Sequence, residues 1–363
     1  MKIAFFGSSL VSSYWNGAAT YYRGLLKALS ALGHDITFYE PDAFERQQHR
    51  DMADPDWARV IVYPATSDGW QRALERATRE ADVLVKASGI GIFDAELATA
   101  VPDARAPATT AIYWDVDAPA TLDGIAADPD HHLRRAIPRY HLVLTYGGGD
   151  PVVRAYHKVG ARHCEPVYNA LDPDTHHAVP VRDDFACDLS FLGNRLPDRE
   201  ARVEEFFLKP AARLPERNFL LGGAGWNDKP MPPNVRVLGH VGTGDHNAFF
   251  CSALATLNVN RESMARFGFS PPTRIFEAAG AGACLISDAW AGIEAFLEPG
   301  REILIASNGE GVAACLDRVT PQIASEIGTA ARKRILGAHT YAHRARQVAE
   351  ILDLATKKSE AAA

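Results

Sequence analysis

Residues 258–288 read NVNRESMARFGFSPPTRIFEAAGAGACLISD, and the fold of the whole chain turns on them. They open on the end of an apolar run, Ala255-Thr256-Leu257-Asn258-Val259, which has the make-up of a buried strand. Arg261, Arg266 and Arg274 then follow, with Glu262 the one acid among them. The step Ser270-Pro271-Pro272-Thr273 predicts a helix start, with Ser270 as cap and proline in the first turn, where a missing N–H costs nothing. The helix is expected to run through Arg274, Ile275, Phe276, Glu277, Ala278 and Ala279 and to end on small residues at 280–283. A strand is expected at 284–287. This order suits an α/β protein that holds a nucleoside diphosphate. Free amides and the positive end of the helix dipole attract the anion, and arginine adds paired donors. The carboxylate of Glu277, one turn in, is left to accept from ribose hydroxyls. The plainer alternative is a surface helix with an Arg274–Glu277 pair three residues apart, worth about 0.2–0.5 kcal/mol.

Length and composition widen that reading. The 363 residues predict two domains, and 47% hydrophobic with 23% charged residues is the balance of a globular protein with real cores. A formal charge of −7 with no long basic run argues against nucleic acid or an anionic membrane as partner. Cys164, Cys187, Cys251, Cys284 and Cys315 stand singly, without metal-ligand spacing, and their odd number argues against a disulfide framework. The N-terminal run 1–7 reads as a strand rather than a signal peptide, and no apolar run reaches membrane-span length. A cytoplasmic location is therefore expected.

Apolar strand-like runs alternate with helical segments from the first residue, which is the doubly wound pattern. Strands are expected at 2–7, 35–39, 60–63, 82–87, 109–114, 141–145 and 163–168, with helices near 17–32, 69–80, 95–100 and 150–159. Around 171–186 the composition turns to Asp, Pro and His, and this stretch, His176 and His177 included, reads as a solvated linker rather than a metal site. The alternation then restarts. The domains expected are 1–170, a second from 187 to 339, and a closing helix with a frayed tail over 340–363. Ligands in such sheets sit at strand carboxyl ends, so two halves facing each other predict a cleft.

Individual motifs carry less. The loop Ser8-Ser9 to Asn16-Gly17 is neither a dinucleotide fingerprint nor a P-loop; Ser9, Asn16 and Gly17 either present polar groups to a sugar or anion, or form a tight turn. Gly193-Asn194-Arg195 follows the first strand of the second half, where glycine allows close approach and Arg195 is placed to reach a phosphate. Gly239-His240-Val241-Gly242 is a turn whose backbone is suited to a base edge. Trp114-Asp115-Val116-Asp117 puts two acids at a strand end, as candidate base, helix cap or, less favoured, manganese ligands.

With these residues in hand, the second half resembles the donor-binding domain of GT-B-fold glycosyltransferases, in particular the group related to the spore-maturation CgeB proteins. The resemblance is carried by 192–195, 238–241, Arg274-Ile275-Phe276-Glu277-Ala278 and 292–302, and in the first half by 12–20 and 117–119. It implies two Rossmann-like α/β domains across a cleft, with the last helix crossing back to the first. It also implies transfer from a nucleoside diphosphate sugar, of UDP or dTDP type, as co-substrate, with no metal and no further cofactor. Residue by residue, Glu277 matches the ribose-binding acid, Arg195 and Arg274 would contact the diphosphate, and Val241 would lie near the base. Gly193, Asn194 and Ser270 complete the expected donor site, and Asp117 or Asp115 is the candidate catalytic base. The second glutamate that many retaining members carry eight positions before the ribose acid is here Phe269. Two rivals stand beside this expectation: a sugar-nucleotide epimerase or hydrolase on the same fold, and a two-lobed binding protein without chemistry. Acceptor, stereochemical outcome and oligomeric state have no signal in the sequence.

Overall fold

The computed structural model describes residues 1–362, with side chains described through residue 355; the tail expected from Lys357 lies outside those described side chains. The chain divides into two compact units, Met1–Tyr168 with Tyr341–Ala363, and Asn169–Thr340.

The first unit is built on a seven-stranded parallel sheet. Its strands are β1 (Lys2–Phe6), β2 (Asp35–Asp42), β3 (Arg59–Pro64), β4 (Val83–Ala87), β5 (Thr110–Asp115), β6 (Leu142–Thr145) and β7 (Cys164–Pro166), in the order β3-β2-β1-β4-β5-β6-β7. The central strands VLVKA, TAIYWD and LVLT are buried at every position. That is what helices on both faces of a parallel sheet require of the sequence. Helix Tyr341–Ala362 belongs to this unit. Its Arg344 Nε donates to the Tyr168 carbonyl at 3.2 Å, and Gln347 Nε2 donates to Pro166 O at 3.0 Å.

The second unit repeats the plan with six strands: β8 (Cys187–Leu192), β9 (Phe219–Gly222), β10 (Val235–Gly239), β11 (Ala253–Asn258), β12 (Leu285–Asp288) and β13 (Leu304–Ala306). All neighbours are parallel, in the order β10-β9-β8-β11-β12-β13. Strand order reverses between β8 and β11, so the crevice of this sheet opens beyond Leu192 and Asn258.

Three expectations change. Residues 171–186 are largely solvent-exposed, as expected, but group with the second unit rather than standing apart from it. Asn247 Nδ2 donates to Thr175 O at 2.9 Å, Arg182 N donates to Ser252 Oγ at 2.8 Å, and His176 is only 2% exposed. Its backbone is tied to helix Thr243–Cys251 and the turn after it, while most of its side chains face solvent. The arginine-rich loop contains a short helix, Glu262–Phe267, stopped at Gly268, whose φ of 70° glycine tolerates. Ser270, finally, does not cap the next helix. Pro271 and Pro272 keep the chain extended, the helix starts at Thr273, and the Ser270 hydroxyl donates to Gly268 O at 2.9 Å.

Candidate nucleotide-binding site

Helix Thr273–Ala281 begins at the point where strand order reverses. Its second residue, Arg274, turns inward and is only 8% exposed. Nε donates to the carbonyl of Leu192, the last residue of β8, at 2.7 Å. Nη1 donates to Oδ1 of Asn258, the last residue of β11, at 2.8 Å. One guanidinium thus joins the carboxyl ends of the two strands that flank the crevice.

A second guanidinium comes to the same place. Arg199, on helix Pro197–Val203, lies 5.9 Å from the Phe191 ring centroid, and Arg274 lies 5.0 Å from it. Arg199 Nη2 donates to Asn194 O, while its buried Nε has no protein partner. Gly193 passes between the two: a Cβ there would stand 3.0 Å from Arg274 Nη2 and 3.3 Å from Arg199 Cζ. Neither arginine has an ion-pair partner among the described residues. Burial, reinforced by the charge of Arg199, lowers Arg274 to about 9, with Glu277 and Asp288 opposing. Burial also lowers Arg199 to about 10; Asp198 opposes this and Arg261 adds to it. Two like charges held together without a carboxylate are poised for an anion of double charge.

The other arginines of the region frame this pair. Arg202 donates to Asp288, buried at the end of β12, at 2.6 Å and to Glu262 at 2.9 Å. Arg261 is paired with Asp198 at 2.6 Å. Arg195, expected at the phosphates, is held by Glu200 through two 2.8 Å bonds and by Asp228 at 2.9 Å. Its charge is matched by its own neighbours, whereas Arg199, four residues on, has no ion-pair partner among the described residues. Asn194 orders the adjacent turn by accepting from Ala224 N at 2.9 Å.

Glu277 does not pair with Arg274. It lies beside His176 and His246, with one ligand-capable atom of each of the three within 4.8 Å of the others. His246 Nε2 is 3.3 Å from the carbonyl oxygen of Val241, which places Val241 and Glu277 around one group of side chains. Burial lowers the His246 pKa, with Glu277 partly opposing, so its ring is neutral near pH 7.

In the first unit, Asp115 is wholly buried. It accepts from Ser88 Oγ at 2.7 Å, Thr121 Oγ1 and Asp117 N at 3.0 Å, and from the Tyr156 hydroxyl. Burial raises its pKa and those bonds oppose the rise. Its oxygens hold the turn after β5. Asp117 stands at the N-cap of helix Ala118–Ala127, with no capping bond from its side chain to the helix. The Asn16 amide donates to Ser9 O and Ser12 O at 2.8 and 2.9 Å, and Ser9 Oγ donates to Glu40 at 3.0 Å. Both side chains shape the loop, and Gly17 meets no close neighbour.

Sequence reasoning did not single out Arg199, Asn258 or His246, and it set His176 aside as part of a linker. Asn258 had a signal, a polar residue closing an apolar strand at the crevice. Arg199 and His246 had none, since each sits in the first turns of a helix chosen for other reasons.

The family model for glycosyl transferase-like proteins matches residues 199–350. No curated protein sequence matches the chain. Among solved structures, the fold is similar to sucrose-phosphate synthase from Thermosynechococcus elongatus, at TM-score 0.70 and 12% identity, covering 100% of both chains. It is similar to Anabaena HepE in complex with UDP-glucose, at TM-score 0.66 and 14% identity over 97% of this chain and 99% of that one. It is similar also to the T4 phage enzyme BGT in complex with its UDP-glucose substrate, at TM-score 0.65 and 12% identity over 98% and 99%. This is the GT-B glycosyltransferase fold. Two parallel-sheet, Rossmann-like units are its architecture, and glycosyltransferase complexes with UDP and UDP-glucose stand among its structural neighbours.

Proposed function

We propose that the protein transfers a sugar from a nucleoside diphosphate sugar, a uridine donor favoured, to an acceptor that its chemistry leaves unnamed. The observation that carries the reading is Arg274 spanning the ends of β8 and β11 beside an unneutralised Arg199. A departing diphosphate develops charge, and fixed donors aimed at it stabilise that charge without reorganising. Arg274 Nη2, Arg199 and the first amides of helix Thr273–Ala281 supply the donors, and Glu277 accepts from the ribose. Gly193 admits the pyrophosphate between the guanidiniums, Ser270 and Asn194 hold the flanking turns, and Val241 borders the base. Within this reading Asp117 is the candidate base. The first unit takes the acceptor, and the closeness to CgeB-like proteins belongs to the same proposal. The five free cysteines support a reducing, cytoplasmic setting, and no helix among the described residues is long and apolar enough to cross a membrane.

Titration calorimetry with UDP tests the site. A charge-assisted bond contributes about 1.5–3 kcal/mol, so Arg274→Ala should weaken UDP about 10- to 150-fold, and Glu277→Ala should also weaken it. Unchanged affinity in both variants, with circular dichroism intact, removes the assignment. Hydrolysis or epimerisation of the donor with no acceptor present would instead favour the related non-transfer chemistry.

A further inference from the structure

Glu277 stands among groups that donor binding does not use. His176 reaches it from the stretch 171–186 and His246 from the first turn of helix Thr243–Cys251. Nε2 of His176 and Nδ1 of His246 are both buried without a protein hydrogen-bond partner. Buried polar atoms left in this way are uncommon, and two in one cluster with a carboxylate ask for a shared ligand. We propose that His176, His246 and Glu277 form a binding site for a divalent transition-metal cation of the zinc class, and that the bound ion and the donor's ribose exclude one another.

The donor set is two imidazoles and a carboxylate, the His2Glu combination that zinc accepts with a fourth position left to water. Tetrahedral bonds of about 2.0–2.1 Å place ligand atoms roughly 3.4 Å apart. The 4.8 Å within which these atoms lie therefore needs to close by at most about 1.4 Å, within the reach of side-chain rotation. His246 is already set for the task. Donation from Nε2–H to Val241 O, 3.3 Å away, fixes the tautomer and leaves the lone pair on the orphaned Nδ1. A backbone carbonyl on the far nitrogen is the partner that metal-bound histidines ordinarily have. The ion would take the Glu277 oxygens that the ribose hydroxyls need, so it acts as an antagonist of the donor and not as a cofactor. That exclusion rests on the donor reading of Glu277; binding of the ion does not.

The test uses metal-free protein titrated with cobalt chloride, followed by its visible ligand-field bands, and then with zinc chloride to displace the cobalt. One equivalent should bind with the band intensity of a four-coordinate site. His176→Ala and His246→Ala should each weaken it at least about tenfold, since even outer-shell partners of such ligands change affinity 10- to 100-fold. UDP should raise the apparent cobalt Kd, and cobalt the UDP Kd, by the same factor. This antagonism should vanish in H176A, whereas simple chelation of the ion by UDP would persist there. Should H176A not fold, H246A and the wild-type spectrum decide: a near-ultraviolet thiolate band places the ion on cysteine and overturns the site. No cobalt binding, or binding unaltered in the histidine variants, overturns it equally. Loss of the donor reading has a different signature, because UDP would then fail to bind with or without the ion while the cobalt titration stayed as described.

Discussion

Arg274 shows how one residue ties sequence to chemistry. Its charge is held in a buried place against Phe191 and a second arginine, an arrangement that disfavours the charged form and leaves it at about 9. A bound diphosphate stabilises the charged form and raises that value. The sign follows: affinity gained from Arg274 is fully present below its free-protein pKa and is lost as pH rises from there through the higher value of the complex. UDP affinity measured from pH 7 to 10.5 should therefore hold steady to about pH 8 and fall above 9. Arg274→Lys keeps a charge but loses the geometry that reaches Leu192 O, Asn258 and a phosphate together, so it should bind UDP weakly at pH 7. A flat profile through pH 10 would show that the Arg274 guanidinium keeps its proton over that range, and Arg274→Ala then decides whether it meets the anion. The contrast with Arg195 is instructive. Both arginines lie in the connections after strands of the second sheet, but Glu200 and Asp228 match the charge of Arg195, while Arg274 has no ion-pair partner among the described residues. Which arginine stays unmatched depends on residues 5 and 33 positions away, and spacing alone does not reveal it.

At the scale of elements, parallel strands were legible because burial on both faces leaves a continuous apolar run, as in FLLG of β9 and LVLT of β6. Helix ends were less so. Ser270 has the right residue type for a cap, yet the following proline pair moved the start two residues past the expected one. Helix Ala118–Ala127 escaped notice since its residues, APATLDGIAA, show no clear apolar stripe. Helix Ala19–Ala31 supplies a prediction in which two effects oppose. Gly24 lies in its interior, where alanine would gain about 1 kcal/mol of helix propensity. A Cβ at that position would stand 2.1 Å from Cδ2 and 2.7 Å from Cγ of the Tyr341 ring. The ring is clipped near its root and is buried, so it cannot swing clear, and overpacking of this kind costs about 1–3 kcal/mol. Gly24→Ala should lower the melting temperature by a few degrees, at about 2–4 °C per kcal/mol for a unit of this size. A rise on differential scanning calorimetry would show that propensity outweighs the clash.

For the molecule as a whole, the second unit is inserted within the first along the chain. Its two ends meet, with Leu171 N donating to His339 O at 2.9 Å, and the chain then returns to complete the first unit with helix Tyr341–Ala362. The two-sheet plan was legible from the alternation of runs, but the membership of 171–186 was not, because its partners Asn247 and Ser252 lie 70 or more residues away. This connectivity makes stability of the first unit depend on helix Tyr341–Ala362, while every residue of the proposed diphosphate site lies in the second. Leu352, 2% exposed, lines a small apolar cavity with Val348, Ile3, Phe5, Leu26 and Leu29. Leu352→Ala enlarges a void that already exists and should cost about 2–5 kcal/mol, a large share of a typical domain's stability of about 5–15 kcal/mol. UDP at 100 times its Kd should stabilise only the unit that binds it, by about 2.7 kcal/mol. Calorimetry of the wild-type and L352A proteins, each with and without UDP, separates the two effects. The transition raised by UDP should be the one that L352A leaves in place, and the one lowered by L352A should not respond to UDP. A single transition moved by both would show that the units unfold together and that the last helix supports nucleotide binding as well as the first core.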